Sequence, residues 1–202
     1  MKGKLKKYLE NDRLEAGCDE AGRGCLAGPV TAAAVILDPK KPIKGLNDSK
    51  ALTKKQRDEL RLEIEEKALA WHVEMVPIEK IEELNILHAS LYGMLQSAKQ
   101  LKIQPEHLLI DGNRFVKESP FAHTCVVKGD AKFQSIAAAS VLAKTHRDEY
   151  MQEQAKKYPH YDWENNKGYP TKKHRDGIRE YGASPIHRRS FQLLPGQLNL
   201  FD

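Results

Sequence analysis

Four acidic residues stand where strands of a predicted sheet end. Asp19 and Glu20 close the first predicted strand, Asp111 closes the fourth, and Asp130 follows the fifth. The ends of neighbouring strands in an open α/β sheet form the crevice where ligands bind. Four carboxylates in one crevice repel one another unless protons or cations hold them together. Each acid taken singly is typical of a turn, but their joint placement predicts a cation site.

The residue types indicate which cation would bind. None of the four positions holds His or Cys, so the ligands are oxygens, which suits Mg²⁺ or Mn²⁺. Two such ions about 4 Å apart suit phosphodiester hydrolysis, one activating water and the other stabilising the leaving oxygen. Adjacent residues of an ideal strand point to opposite faces. Asp19 and Glu20 therefore share one site only if the strand bends, which Gly22 would permit.

The elements that must position these acids alternate between strands and helices. Three helices are predicted, one capped by Thr53, one opening at Pro77 and one over 136–150, and a short basic helix is predicted at 2–10. Strands are predicted at 14–19, 30–37, 71–75, 107–110 and 124–127. This order predicts an α/β fold whose first two strands form a hairpin.

Composition narrows the class of protein. A chain of 202 residues with 40% hydrophobic residues fits one α/β domain with an extension. The net charge of +5 is compatible with nucleic acid or anionic substrates. No apolar stretch is long enough for a membrane span, and no signal peptide is predicted at the N-terminus. Three cysteines without C-x-x-C spacing predict a reduced, cytoplasmic protein without a zinc knuckle.

From the DEAGRG segment at 19–24 onward, the chain resembles bacterial ribonuclease HII, the type 2 ribonuclease H family. The resemblance covers nearly the whole length, and the family motifs occur in the same order. They are DEAGRG, AGPV at 27–30, NDSK at 47–50, NIL at 85–87, IDG at 110–112, KGD at 128–130, the run 135–144 with RD at 147–148, GYPT at 168–171 and HRRSF at 187–191. One departure is Cys25-Leu26, where Pro-Leu or similar is expected; it concerns loop packing more than ligands.

The resemblance implies an endonuclease that cuts the RNA strand of RNA–DNA hybrids. It also implies cleavage 5′ of single ribonucleotides embedded in duplex DNA, leaving 3′-hydroxyl and 5′-phosphate ends, in DNA replication and repair. The implied metal ligands are Asp19, Glu20, Asp111 and Asp130, holding two Mg²⁺ or Mn²⁺ ions. The implied fold is a ribonuclease H-like five-stranded mixed sheet flanked by helices, with a helical C-terminal extension.

Two loops are candidates for telling RNA from DNA, which differ in the 2′-hydroxyl of the sugar. The backbone of a glycine-rich loop can approach a sugar closely, and the resemblance assigns this task to Gly22, Arg23 and Gly24. It also implies that Tyr169 stacks on the sugar of the next deoxynucleotide. Without the resemblance, a surface glycine turn and a packed loop tyrosine are the ordinary interpretations.

Basic residues are candidate phosphate contacts. Lys50 lies on a loop that could face the acidic crevice. Further candidates lie in the extension, although for each one a solvated surface position is at least as good an interpretation. They are Lys144, Lys167, Lys172, Lys173, Arg188 and Arg189. Asp148 is interpreted as structural, bonded to Arg147 or a nearby loop.

The C-terminus resembles the QLxLF peptide by which bacterial replication and repair proteins bind the sliding clamp. Leu198, Leu200 and Phe201 would enter an apolar groove while Gln197 forms hydrogen bonds. The alternative is that this segment folds back onto the protein. We predict a catalytic domain over 1–193, with its basic helical extension at about 141–193, and a flexible tail over 194–202.

The sequence disfavours two other functions. A non-catalytic nucleic-acid-binding module on the same fold is disfavoured, because retained carboxylates would repel phosphate in the absence of metal. The sister enzyme ribonuclease HIII is expected to carry an N-terminal substrate-binding domain, for which the 18 residues before Asp19 leave no room. The partners expected are RNA–DNA hybrid and ribonucleotide-containing duplex DNA, with no membrane, and the protein is expected to be a monomer.

Overall fold

A five-stranded mixed sheet forms the centre of the computed structural model, which describes residues 5–196. The strands are β1 (Glu15–Ala21), β2 (Val30–Ile36), β3 (Ala70–Val76), β4 (His107–Asp111) and β5 (Ala122–Val126). Their order is β3-β2-β1-β4-β5. The first three strands in sequence pair antiparallel, whereas β1, β4 and β5 run parallel. The predicted mixed sheet of five strands is confirmed.

Five helices accompany the sheet in this part of the chain. They are α1 (Lys54–Lys67), α2 (Ile78–Lys99), α3 (Gln134–Lys157), α4 (Trp163–Asn166) and α5 (Lys172–Tyr181). Thr53 caps α1 as predicted, in a reciprocal capping box with Gln56. Helix α2 breaks at Asn85, which has a φ of 60°. The Asn85 side chain accepts hydrogen bonds from the backbone of Leu87 and His88 and so restarts the helix.

Both faces of β2 are buried, as its continuous apolar run predicts. Ala32 and Ala34 pack in a cluster with residues of α2, whereas Ala33 and Val35 pack with residues of α1 and α3. Helix α3 comes very close to β1, because a Cβ on Gly17 would lie 2.2 Å from the carbonyl carbon of Ser135. Only glycine permits this approach, which brings α3 alongside the strand that carries Asp19.

The extension forms its own apolar cluster. Trp163, Ile178 and Leu193 pack with Leu26 and Ala27, which follow the glycine-rich loop. The backbone of the extension also bonds to that loop, since Arg188 N donates to Leu26 O at 2.8 Å. The helical extension is therefore attached to the segment after β1 rather than to the sheet alone.

The helix predicted at 2–10 is wrong for its described part. Residues 5–10 contain no helical turn. Lys6 instead forms a bridge with Phe133, donating to Lys132 O and accepting from Gln134 N. These long-range hydrogen bonds replace the local bonds of a helix. Among residues 5–196, no helix is long and apolar enough to cross a membrane.

Candidate active site

Asp111 is at the centre of the acidic cluster. Cys18 of β1 pairs with Ile110 of β4 in parallel register, so the next residues, Asp19 and Asp111, lie side by side at the carboxyl ends of the two strands. Asp19, Glu20 and Asp130 each interact electrostatically with Asp111. The strand register thus brings together the acids that the sequence predicted to be neighbours.

Asp130 reaches the cluster through a short turn after β5. Lys128 has a φ of 55°, and Gly129–Ala131 then form one turn of 3₁₀ helix. The backbone N–H of Gly129 donates to Asp111 Oδ1 at 2.7 Å. A Cβ at Gly129 would lie 2.5 Å from Ile136 Cδ1, so a larger residue here would have to displace that side chain. This hydrogen bond fixes Asp111 and Asp130 relative to each other.

The strand that carries Asp19 and Glu20 stays paired with β2 through Ala21, and the chain turns at Gly22. The turn therefore comes two residues after Glu20 rather than at the acidic pair. Asp19 is 5% exposed, and its Oδ1 accepts the backbone N–H of Glu20 at 2.7 Å. Glu20 Oε1 pairs with Arg23 Nη1 at 3.2 Å.

Burial and mutual repulsion change the acidity of these carboxyls. Burial raises the pKa of Asp19 well above its usual value, and repulsion from Glu20 and Asp111 raises it further. Burial also raises the pKa of Glu20, although Arg23 opposes the shift. The pKa of Asp130 is raised by burial and then by Asp111. The cluster therefore holds more negative charge than the protein alone neutralises.

The donor set fits a hard divalent cation, because it offers carboxylate oxygens and a repulsion that a bound cation would relieve. Within residues 5–196, no three His, Cys, Asp or Glu side chains are already arranged as a coordination group. The fit thus rests on ligand chemistry and on the unbalanced charge of the cluster.

Lys50 faces the acids from the loop before α1. Partial burial acts to lower the pKa of Lys50, but nearby carboxylates raise it above its usual value. These carboxylates are Asp48, Asp19, Asp130 and Asp111. The predicted position of Lys50 beside the crevice agrees with these interactions. Asp48 also accepts the backbone N–H of Lys50 at 2.9 Å, which shapes the turn.

Two buried hydroxyls support Asp19, and the sequence reasoning assigned neither a role. Ser140 of α3 hydrogen-bonds the Asp19 carboxylate and so acts to lower its pKa. Ser140 Oγ also lies 2.9 Å from Ser49 Oγ. Either hydroxyl can donate in this second contact. Both serines lie in motifs of the family, which was the available signal.

The glycine-rich loop contains two glycines with different surroundings. Gly22 has a φ of 95°, and a Cβ there would lie 2.1 Å from Arg147 Nε. Gly24 is exposed, and a Cβ there would meet nothing within 4 Å. The fold therefore requires glycine at position 22 but not at position 24. Arg23, between them, has a half-exposed side chain beside Glu20.

Tyr169 lies on the loop between α4 and α5 with 40% of its surface exposed. Lys144 Nζ is 5.8 Å from the centre of its ring and pairs with Asp148 at 2.6 Å. Its hydroxyl faces the Cys25 thiol, and this interaction acts to raise the pKa of Tyr169, which burial already raises. The tyrosine loop is tied to the glycine-rich side of the site, because Leu26 N donates to Gly168 O at 2.8 Å.

Two arginines that are almost fully buried hold these loops together, which the sequence reasoning missed. Arg147 donates to Pro29 O, Lys167 O and Ala27 O at 2.8–3.0 Å. Arg188 donates to Gly28 O and to Arg23 O, both at 3.0 Å. Each arginine thus bonds backbone carbonyls at or near the glycine-rich loop and the tyrosine loop.

One role expected for a basic residue, that of Arg188, is wrong, and other basic side chains have partners within the protein. Arg188 is 0% exposed and so does not contact phosphate; burial, followed by the nearby Arg147, lowers its pKa to about 10. Asp148 pairs with Lys144, not with Arg147. Lys172 pairs with Asp176 at 2.8 Å. Lys167 donates to the Glu164 carbonyl. Arg189 and Lys173 remain exposed.

The predicted clamp-binding residues Gln197, Leu198, Leu200 and Phe201 lie outside the described residues. The three cysteines are free thiols, as their spacing predicted.

Comparison with known proteins gives one consistent result. The family model described as Ribonuclease HII matches residues 16–194. A Ribonuclease HII from Phocaeicola vulgatus is 61% identical over 190 residues, covering 94% of each chain. The solved structure of ribonuclease H2 from Pyrococcus horikoshii is 26% identical with a TM-score of 0.74, covering 89% of this chain and 94% of that one.

A second solved structure, the PCNA:RNase HII complex from Archaeoglobus fulgidus, matches with a TM-score of 0.75 at 23% identity. It covers 92% of this chain and 96% of that one, and it supports the fold. Family model, sequence relatives and fold agree over nearly the whole chain. The chain belongs to the ribonuclease HII family and is an enzyme, a metal-dependent nuclease.

Proposed function

We propose that this enzyme hydrolyses the RNA strand of RNA–DNA hybrids and cuts 5′ of single ribonucleotides embedded in duplex DNA. The products carry 3′-hydroxyl and 5′-phosphate ends. In the cell the reaction would remove ribonucleotides and RNA primers during DNA replication and repair, in the cytoplasm. The observation that carries the proposal is the meeting of Asp19, Asp111 and Asp130 at one edge of the sheet, beside a glycine loop with open space at Gly24.

Asp19, Glu20, Asp111 and Asp130 would hold the divalent ions, Mg²⁺ or Mn²⁺, with two ions in the active complex. When bound, the ions supply an activated water and stabilise negative charge on the leaving oxygen. The protein contributes the placement of the ligands. Ser140 holds the Asp19 carboxylate, and Gly129 N holds Asp111 Oδ1. Water attacks phosphorus in line, and no covalent enzyme intermediate forms.

Lys50 would neutralise part of the phosphate charge at the cut site, because its ammonium group already faces the acidic cluster. Exposed basic residues such as Lys173 and Arg189 would add salt-dependent affinity for the backbone, through release of counterions. These contacts position the duplex without reading its sequence.

The recognition step would use the two linked loops. The backbone of Gly22, Arg23 and Gly24 approaches the 2′-hydroxyl of the ribonucleotide, since no side chain covers Gly24. Tyr169 then stacks on the sugar of the following deoxynucleotide with its exposed face. The hydrogen bond between Leu26 N and Gly168 O keeps the two loops at a fixed separation. Together the loops would recognise an RNA-to-DNA junction.

The substitution Asp19→Asn tests the proposed chemistry. It keeps the size of the side chain and an oxygen that can accept the Ser140 and Glu20 hydrogen bonds, but removes the charge. Turnover should fall by about a thousandfold or more, since a metal contributes several kcal/mol to the transition state and 1.4 kcal/mol is a factor of ten. Binding of the hybrid should stay close to that of the parent, and the Mg²⁺-dependent rise in melting temperature should shrink.

A variant that cleaves near the parental rate would show that Asp19 is not a metal ligand. The competing function, a binding module without catalysis, predicts that parent and variant bind hybrid equally and that neither cleaves it. The intact set of four acids argues against this alternative, because the carboxylates would repel phosphate in the absence of metal.

We also propose that the last residues form a tail that binds the bacterial sliding clamp. The supporting feature is the sequence of Gln197, Leu198, Leu200 and Phe201, which follows a Pro-Gly pair at 195–196. A chain lacking 197–202 should cleave short duplexes at the parental rate and bind the clamp more weakly. Unchanged clamp affinity would contradict this role. We further propose that residues 1–193 form the catalytic domain and that the protein acts as a monomer.

A further inference from the structure

Two buried histidines lie directly behind Tyr169. His174 of α5 is 0% exposed and His187 is 1% exposed. Their Nε2 atoms are 3.0 Å apart. His174 Nδ1 lies 2.9 Å from the carbonyl oxygen of Tyr169, and His187 Nδ1 lies 2.9 Å from the backbone nitrogen of Ser184. The four groups therefore form one continuous chain of hydrogen bonds.

The donors in this chain fix the proton on each ring. The backbone N–H of Ser184 can only donate, so His187 Nδ1 is an acceptor and its proton is on Nε2. The indole N–H of Trp163 also donates to His174 Nε2, at 2.9 Å. The single lone pair of His174 Nε2 is therefore shared by the N–H groups of Trp163 and His187, and the proton of the neutral His174 ring is on Nδ1. That proton is donated to the Tyr169 carbonyl.

The relay, defined as Ser184, His187 and His174, runs in one direction and ends on the backbone of Tyr169. The same carbonyl also accepts from Thr171 N at 2.8 Å, and Tyr169 N donates to Asn166 O at 2.9 Å. Tyr169 is thus held by its backbone on both sides, which leaves its ring 40% exposed. The relay does not touch the four acids, so it has no part in the chemical step.

We propose that His174 is a positioning residue for junction recognition, and that the neutral relay orients Tyr169 toward the deoxynucleotide that follows the ribonucleotide. The inference rests on the proposed role of Tyr169. It predicts that loss of the His174 Nδ1–H donor lowers cleavage at a single ribonucleotide more than cleavage of a continuous hybrid, because only the junction requires the tyrosine.

The charged groups around the relay leave it neutral near physiological pH. His174 faces Arg175 and Asp162, and burial is the main reason its pKa is lowered. Burial and then His174 lower the pKa of His187 to about 4. Tyr161 and Trp163 cover the rings and carry no charge at that pH. The ratio of junction to hybrid cleavage should therefore be flat between pH 6.5 and 8 in the parent.

The test compares His174→Leu with His174→Asn. The two side chains are similar in size, and both delete Nε2, so both leave Trp163 and His187 without their acceptor. They differ because Asn retains an N–H near the position of Nδ1 that can donate to Tyr169 O, whereas Leu does not. Each is assayed for kcat/KM on a duplex with one ribonucleotide and on a continuous hybrid of the same sequence.

The ratio of kcat/KM on the single-ribonucleotide duplex to kcat/KM on the continuous hybrid should be roughly fivefold lower in His174→Leu than in His174→Asn, as expected for loss of one hydrogen bond. Equal ratios in the two variants would overturn the relay. Tyr169→Ala separates this failure from that of the proposed function. If Tyr169→Ala leaves the ratio unchanged, the role of Tyr169 itself is wrong. If Tyr169→Ala lowers the ratio but the His174 variants are equal, only the relay is wrong.

A second measurement needs no variant and decides the matter if the leucine variant does not fold. Nitrogen-15 NMR of the imidazole rings in the full chain should find the proton of His187 on Nε2 and that of His174 on Nδ1. Any other tautomer, or a charged ring at pH 7, would overturn the relay.

Discussion

The acidic edge of the sheet and the two recognition loops are held in place by opposite means. The acids sit at strand ends and repel one another, and their partners are the Ser140 hydroxyl, the Gly129 N–H, Arg23 and Lys50. The loops are held by Arg147 and Arg188, two buried cations that bond to backbone carbonyls. Metal binding can relieve the first arrangement, whereas the second is complete within the protein. Chemistry and recognition should therefore respond differently to substitution.

Substitution of Arg147 should most strongly disturb the recognition side. Arg147→Met leaves two buried carbonyls and one partly buried carbonyl without this donor, so the free energy of unfolding should fall by about 3 kcal/mol or more. The matched control is Arg179→Met, because Arg179 is half-exposed and pairs only with Asp176. That control should change stability by less than about 0.5 kcal/mol. Urea denaturation of both variants measures the difference, and equal losses would show that Arg147 does not hold the loops.

The two loop glycines separate folding from recognition. Gly22→Ala places a Cβ 2.1 Å from Arg147 Nε at a φ of 95°, so stability should fall by about 1–3 kcal/mol. Gly24→Ala meets no protein atom within 4 Å and should leave stability within about 0.5 kcal/mol of the parent. Its cleavage at a single ribonucleotide should nevertheless fall roughly tenfold, because the methyl group blocks the approach of the sugar.

Thermal unfolding measures the stability of the two glycine variants, and single-turnover assays measure their rate of cleavage at a single ribonucleotide. A Gly24→Ala enzyme with parental cleavage would contradict the proposed contact between this loop and the ribose.

The smallest expected effect is on the pH dependence of stability. The folded-state pKa of His187, about 4, lies below its unfolded value of about 6.5, so the neutral ring stabilises the folded protein. This contribution is fully present above pH 6.5 and is lost as the pH falls toward 4. The stability difference between the parent and His187→Asn should therefore narrow from pH 7 to pH 5. Urea denaturation midpoints at the two pH values measure this stability difference. A difference that stays constant would mean that burial does not lower the pKa of His187.

Much of the acidic edge could be predicted from the sequence, because strand ends are local features. An apolar run followed by Asp111-Gly112 marks the end of β4, and parallel register then brings Asp111 beside Asp19. The positions of these carboxylates could be predicted without knowledge of contacts between residues distant in the sequence. The five strands were predictable for the same reason, and the family resemblance implied that they form one mixed sheet. The order of the strands in that sheet was not predicted.

The supports of the recognition loops were not predictable, because they depend on long-range burial. Arg188 lies in a basic stretch beside Arg189, and such a sequence is typical of surface residues that contact phosphate. In the fold, however, Arg188 is buried against a loop about 160 positions away in the chain. His174 and His187 show no metal-ligand spacing, and only the folded extension brings them together. The helix predicted around Lys6 is wrong for the same reason. The local pattern is typical of a helix, but Lys6 pairs with Phe133, which is distant in the sequence.

The most direct test of the account uses three duplexes of one sequence, composed of DNA alone, DNA with one ribonucleotide, and an RNA–DNA hybrid. Each is incubated with the parental enzyme in Mg²⁺, Mn²⁺ or EDTA, and the products are sized to the nucleotide. We predict metal-dependent cleavage 5′ of the single ribonucleotide, cleavage of the hybrid, and none of the DNA duplex. Cleavage of the hybrid but not at the single ribonucleotide would contradict the junction role of Gly24 and Tyr169. Cleavage in EDTA would contradict the role given to the four carboxylates.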